Sequence, residues 1–300
     1  MVPSFLVARL DAYLRSQMEP GDGMPSVDFS VPAGEAALAS PDSVSWRVFR
    51  NPVSLLIGGI AAVLLELAEP RVRSGVWDYS SFPSDPLRRM RRTGLAAMIT
   101  VYGPRSEAER LIARVAAMHA RVRGTTPDGV AYRADDPELL RWVHATAQFG
   151  FLEAYHRFVA AVPADDRDRF LAEGVPAARL YGASSPPRSQ SEMRELFGTM
   201  LPRLERSEIV HEFLGILRGI DLFPGPLRWL NGLVLRAAVS LLPGEIRERL
   251  ALGRWERLPP GGERLLRTLG AAIDRLPLES TPAARSCVRM GLPSDYLVAR

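Results

Sequence analysis

Four histidines, at positions 119, 144, 156 and 211, one cysteine, Cys287, and an arginine-rich run between Asp85 and Thr93 are the residues with the most chemical reach in this chain. What is missing narrows the field further. All 38 basic residues are arginine, so Schiff-base, pyridoxal-phosphate and Walker-type lysine chemistry is excluded. A lone thiol excludes an intrachain disulfide, a four-cysteine zinc site and a protein-held iron–sulfur cluster. Any cofactor must therefore be held by histidine or carboxylate.

His119 and His144 lie on apolar stripes at helical spacing, His119 behind Leu111 and Val115, His144 between Leu140 and Phe151. Both should face the interior, as hydrogen-bonded core residues or as ligands. His156 and His211 sit beside charged neighbours and read as boundary residues. No interior histidine has a partner at the i, i+4 spacing of a zinc or di-iron site. In D-P-L-R-R-M-R-R-T, 85–93, Arg89 and Thr93 share a helix face with Arg92 beside them. Arginines at a helix start oppose the macrodipole, so they form either a solvated surface or a seat for a carboxylate or propionate.

Three hundred residues, 47% hydrophobic and 24% charged, are enough to bury a large core. Apolar spacing of three to four throughout predicts an all-α, single multi-helix domain. Ser4–Met18 is one helix, followed by a Pro- and Gly-rich loop to Ala33 that wraps the surface. Asn51-Pro52 and Asp85-Pro86 cap and start two helices, the first ended or kinked by Pro70 and the second stopped by Gly103. Ser106 and Glu109 have capping-box spacing for a helix to Gly124, and Asp136-Pro137 starts another to Phe158. Helices are also expected near 167–172, 191–201, 207–220, 226–242, 243–252 and 263–276.

This divides the chain into an N-terminal helix and wrapping loop (1–33), a main helical domain (34–280) and a C-terminal tail (281–300). The most apolar window, Val53–Leu65, is thirteen residues without charge before Glu66, too short to span a bilayer. With no secretory signal, the expectation is a cytoplasmic protein without a transmembrane segment. The arginines are dispersed apart from 88–92, so no nucleic-acid partner is expected despite the net charge of +4.

Several ordered blocks resemble the family of rubber oxygenases (latex-clearing proteins) and MpaB-type oxygenases. They are L-L-E-L-A-E-P at 64–70, W-D-Y-S-S-F-P-S-D-P-L-R-R-M-R-R-T at 77–93, M-H-A-R-V-R-G at 118–124 and D-P-E-L-L-R-W-V-H-A-T at 136–146. A weaker echo is L-P-G-E-I-R-E-R-L-A-L-G, 242–253. The resemblance implies a globin-like helical core, a b-type haem and oxygen-dependent cleavage of isoprenoid carbon–carbon double bonds. It carries the axial ligand onto His119, with His144 as the alternative, and the polar haem edge onto Arg89 and Thr93.

Two positions depart from the family pattern. Arg92 stands where rubber-cleaving members have lysine and cannot ligate iron. Glu69 stands where many relatives have the histidine of A-H-P, and serves there as a base or as a structural residue. The expectation is a haem b oxygenase acting on an apolar, unsaturated isoprenoid-like substrate with dioxygen and an electron donor. Arg89, Arg92 or Thr93 would polarise oxygen or anchor a propionate. The rival expectation is a non-catalytic haem- or lipid-binding helical protein.

Overall fold

The computed structural model describes residues 4–18, 26–82, 84–220, 222–223 and 225–298. Among them are fourteen α-helices and one short two-stranded hairpin, so the fold is all-α. Helices α1 (Ser4–Met18) and α2 (Val44–Phe49) lead to the central α3 (Pro52–Ala68) and the shorter α4 (Pro70–Tyr79). α5 (Pro86–Tyr102) and α6 (Arg105–His119) are followed by the hairpin β1 (Arg123–Thr125) and β2 (Ala131–Arg133) and by α7 (Pro137–Phe158). The second half comprises α8 (Ala164–Leu180), α9 (Gln190–Met200), α10 (Glu208–Gly219), α11 (Leu230–Leu241), α12 (Gly244–Arg249), α13 (Gly262–Asp274) and α14 (Pro282–Arg289).

The Asn-Pro and Asp-Pro signals work as their chemistry dictates. The Asn51 side chain accepts from the amides of Val53 and Ser54 at 3.1 and 3.3 Å, and Pro52 fills the first turn, where no amide proton is needed. Pro70 begins α4 after a bend of 110° from α3. No single helix among the described residues is long and apolar enough to cross a membrane.

α3 lies against α7 along most of its length because neither helix has a side chain where they cross. A Cβ on Gly58 would stand 2.6 Å from the carbonyl oxygen of Gly150, and one on Gly150 would meet Gly58 backbone in turn. Two turns beyond, Trp142 donates to Leu65 O at 3.2 Å, a cross-helix bond that fixes the register. At the other end, Arg50, Asn51 and Tyr155 converge on the Asp274 carboxylate, tying the start of α3 to α7 and α13. α10 and α11 complete the far side of α3.

Four local readings need correction. The Ser106/Glu109 capping box does not form: α6 begins at Arg105 after Pro104, with no side-chain cap, and the Ser106 amide donates to Glu35 Oε1 at 2.7 Å. α6 ends at His119 rather than Gly124, because the chain turns there into the hairpin, where Arg123–Thr125 pairs antiparallel with 131–133. α8 is far longer than its apolar periodicity suggested, and Pro176 lies inside it. The 226–242 segment starts as a 3₁₀ turn, with α11 proper at Leu230.

The segment after 280 contains the unforeseen α14. Its Arg289 is 1% exposed and donates to Glu35 O at 2.9 Å, Phe29 O at 2.7 Å and Tyr102 O at 2.6 Å. The loop from 26 onward is thereby fastened to the body rather than merely laid over it. Residues 19–25 of the expected loop lie outside the described residues.

Candidate functional site

On α3, Glu66 follows Gly59 and Val63 on one face, seven and three residues earlier. This puts a carboxyl at the end of the most apolar helix, opposite Thr146 of α7. The Thr146 hydroxyl itself donates to Val143 O at 2.8 Å. Across from them, α5 presents Arg89, Thr93, Ala96 and Thr100 at steps of four, three and four. The Thr93 hydroxyl donates to Arg89 O at 2.9 Å and accepts from Arg89 Nη1, so the two side chains form one unit. α6 contributes His119 at its last residue, on the stripe of Ile112 and Val115. α7 contributes His144.

Burial and charge set the behaviour of these groups. Desolvation pushes the Glu66 carboxyl up to about 7, against the opposing pull of Arg89 and the Thr146 hydroxyl. Arg89 is lowered first by burial and further by Arg92 beside it, while Glu66 works in the other direction. His119 is lowered by burial and by the positive charge of Arg89, only partly offset by Asp135. Arg89 thus acts on both Glu66 and His119. His144 is lowered to about 4 by desolvation alone. Both histidines are neutral imidazoles at neutral pH.

Glu66, Arg89, His119 and His144 each keep part of their surface accessible although they are strongly desolvated. Two imidazole nitrogens, His119 Nδ1 and His144 Nε2, are buried without a hydrogen-bond partner, as are Gln148 Oε1 and Arg141 Nε on α7. An unpaired buried donor or acceptor costs about 1–3 kcal/mol, so a native fold normally keeps one for a reason. A neutral imidazole with a free nitrogen in an apolar setting is the donor a haem iron takes, and the residues present fit such a group. No cluster of three or more His, Cys, Asp or Glu suited to a metal ion occurs among the described residues.

The remaining candidates divide differently. Arg92 and Thr93 are exposed, and Arg92 Nη2 lies 3.9 Å from Met118 Sδ on α6. Glu69 is structural: it caps α4 by accepting from the Val72 amide at 2.8 Å and pairs with Arg71 Nε at 2.7 Å. His156 is half-buried, and its Nδ1 accepts from the Val162 amide at 3.0 Å. His211, read as a boundary residue, has its Nε2 buried and unpartnered on α10. Two open surface grooves, of about 490 and 460 Å³, lie on α13 and between α11 and α13, and none of the four interior residues lines either.

Sequence reasoning missed Glu66. It named Glu66 only as the charge that ends an apolar run, although a carboxyl following thirteen uncharged residues on a helix meant for the core was itself a signal. No curated protein and no solved structure matches the chain. The model of the family described as "ER-bound oxygenase mpaB/B'/Rubber oxygenase, catalytic domain" matches residues 46–275, which span α3 through α13 and every residue of the interior group. The chain belongs to this family of oxygenases.

Proposed function

We propose that the protein is a haem b-dependent oxygenase whose substrate is apolar, unsaturated and isoprenoid-like. The observation that carries the reading is the pair of neutral, desolvated imidazoles with unpartnered nitrogens, one of them under the positive charge of Arg89. His119 would hold the haem iron, with His144 as the alternative. Arg89 and Thr93 would hold its polar edge, where a guanidinium fixed by a hydroxyl suits a propionate. Arg92 belongs to the same edge at its exposed end.

When bound, a haem supplies the dioxygen and one-electron chemistry that no side chain here provides. The rest is the work of the chain. Asp85 caps α5 by accepting from the Arg88 amide at 3.2 Å, which fixes the first turn from which Arg89 projects. The Thr93 hydroxyl fixes the Arg89 fork. The apolar faces of α3, α5 and α7 exclude water, which strengthens every polar interaction among them. Glu66, poised near neutrality, holds a proton at its carboxyl and can release or recover it at working pH, as a general acid–base group must.

Reconstitution with haemin followed by oxygen uptake with a reductant and a prenyl compound tests this reading. A Soret band and substrate-dependent oxygen consumption are expected. A Soret band with no consumption of oxygen by any apolar alkene would leave only the haem- or lipid-binding alternative, and no Soret band would end the haem assignment.

A further inference from the structure

We propose that Arg92, backed by Arg89, is the anchor for an anionic headgroup, a carboxylate or phosphate, carried on one end of the substrate. This rests on the function proposed above only for the apolar remainder of that substrate. Arg92 is exposed, and no acidic side chain forms an ion pair with it among the described residues. Among the described residues its one polar-atom contact is the thioether of Met118, a weak acceptor. Elsewhere in the fold arginines are matched by acids: Arg50 by Asp274, Arg73 by Glu205, Arg157 by Glu263, Arg167 by Glu153.

Arg89 deepens the imbalance. It forms no ion pair within 4.0 Å among the described residues, Arg92 presses on it with like charge, and the acid that acts on it, Glu66, is held largely protonated below neutrality by burial. Both guanidinium groups rise from the first two turns of α5, where the helix dipole adds further positive potential. Arginines placed there without counter-charge destabilise the free protein, and an anion relieves all three repulsions at once.

The residues are also ordered from outside to inside. Arg92 with Met118 is outermost, Arg89 with His119 and Glu66 follows, and the α5 face then turns apolar at Ala96 and Ala97. A ligand that satisfies this order has a charged head at the surface and a hydrocarbon tail directed inward. Amphiphilic isoprenoid acids and phosphates have that shape, whereas a neutral polymer would leave Arg92 with nothing to bind.

A carboxylate or phosphate can reach Arg92 from three sources: the substrate's head, a propionate of the cofactor, or a free ion. Calorimetric titration of the as-purified and haem-loaded protein with farnesoic acid, methyl farnesoate, acetate and inorganic phosphate separates them. The expected result is that the acid binds about tenfold or more tightly than its ester, a preference that shrinks with added salt. Arg92→Gln should abolish the preference by weakening the acid alone, with ester affinity unchanged and the melting temperature of the free protein not lowered, and Arg92→Lys should restore most of the preference.

Equal binding of acid and ester by the unaltered protein overturns the proposal. So does loss of haem from Arg92→Gln, which would assign the anion to the cofactor, or acetate and phosphate binding as tightly as farnesoate, which would mean an adventitious ion only. Absence of any Soret band would defeat the haem reading separately, because the titration of the as-purified protein still decides the anchor.

Discussion

Burying a carboxyl without a full counter-charge raises the cost of ionising it, and for Glu66 that cost shows as a pKa of about 7. The folded protein binds this proton more tightly than the unfolded chain does. The stability it contributes is therefore complete below the ordinary carboxylate value of 4.5 and is lost as pH rises through 7. The loss has an upper bound of about 3 kcal/mol. His144 works with the opposite sign: its value falls from 6.5 to about 4, so its contribution is present above 6.5 and is lost as pH drops toward 4. Urea denaturation of the ligand-free protein between pH 5 and 8 should show Glu66→Gln gaining stability relative to the parent as pH increases. In the haem-loaded protein the same substitution should lower turnover roughly a hundredfold or more with the Soret band intact. Equal pH dependence of the two proteins would remove the buried-proton assignment.

At the scale of elements, the helices that carry the site were legible because their ends are written in local chemistry. Asn51-Pro52, Asp85-Pro86 and Asp136-Pro137 each supply a side-chain acceptor and a residue that needs no amide partner, and all three helices begin as those pairs require. The β1–β2 hairpin and α14 were not legible. Three-residue strands are too short to show alternation, and α14 owes its place to Arg289 meeting carbonyls more than 180 residues away in sequence. The α3–α7 crossing makes a direct prediction: Gly58→Ala should destabilise by about 1–3 kcal/mol, read as a lower melting temperature, because Gly150 backbone cannot yield as a side chain would. Glu69→Ala should cost about 1 kcal/mol through loss of the α4 cap and leave turnover per haem unchanged, separating it from Glu66 in function.

Across the whole molecule, the candidate site joins four elements distant in sequence, α3, α5, α6 and α7, around residues whose types alone suggested ligation and anion binding. Arg89, Thr93 and His119 could be named as candidates from spacing and family resemblance, although Thr93 is exposed. Which of them interact could not be, because that depends on how the fold brings α3, α5 and α6 together from distant parts of the sequence. Haem that binds only the folded state should raise the melting temperature progressively as haem exceeds its dissociation constant. Arg289→Ala should loosen the 26–43 segment and lower the melting temperature of loaded and unloaded protein alike, since the carbonyls of Phe29, Glu35 and Tyr102 lose their shared donor.

The central claim is that His119 supplies the axial nitrogen, and the iron–histidine stretch in the resonance Raman spectrum of the ferrous haem-loaded protein tests it most directly. The parent protein and His144→Ala should both show the stretch, and His119→Ala should lose it or lose the haem. Retention of the stretch in His119→Ala with loss in His144→Ala would transfer the ligand to α7, and its presence in both variants would contradict the account.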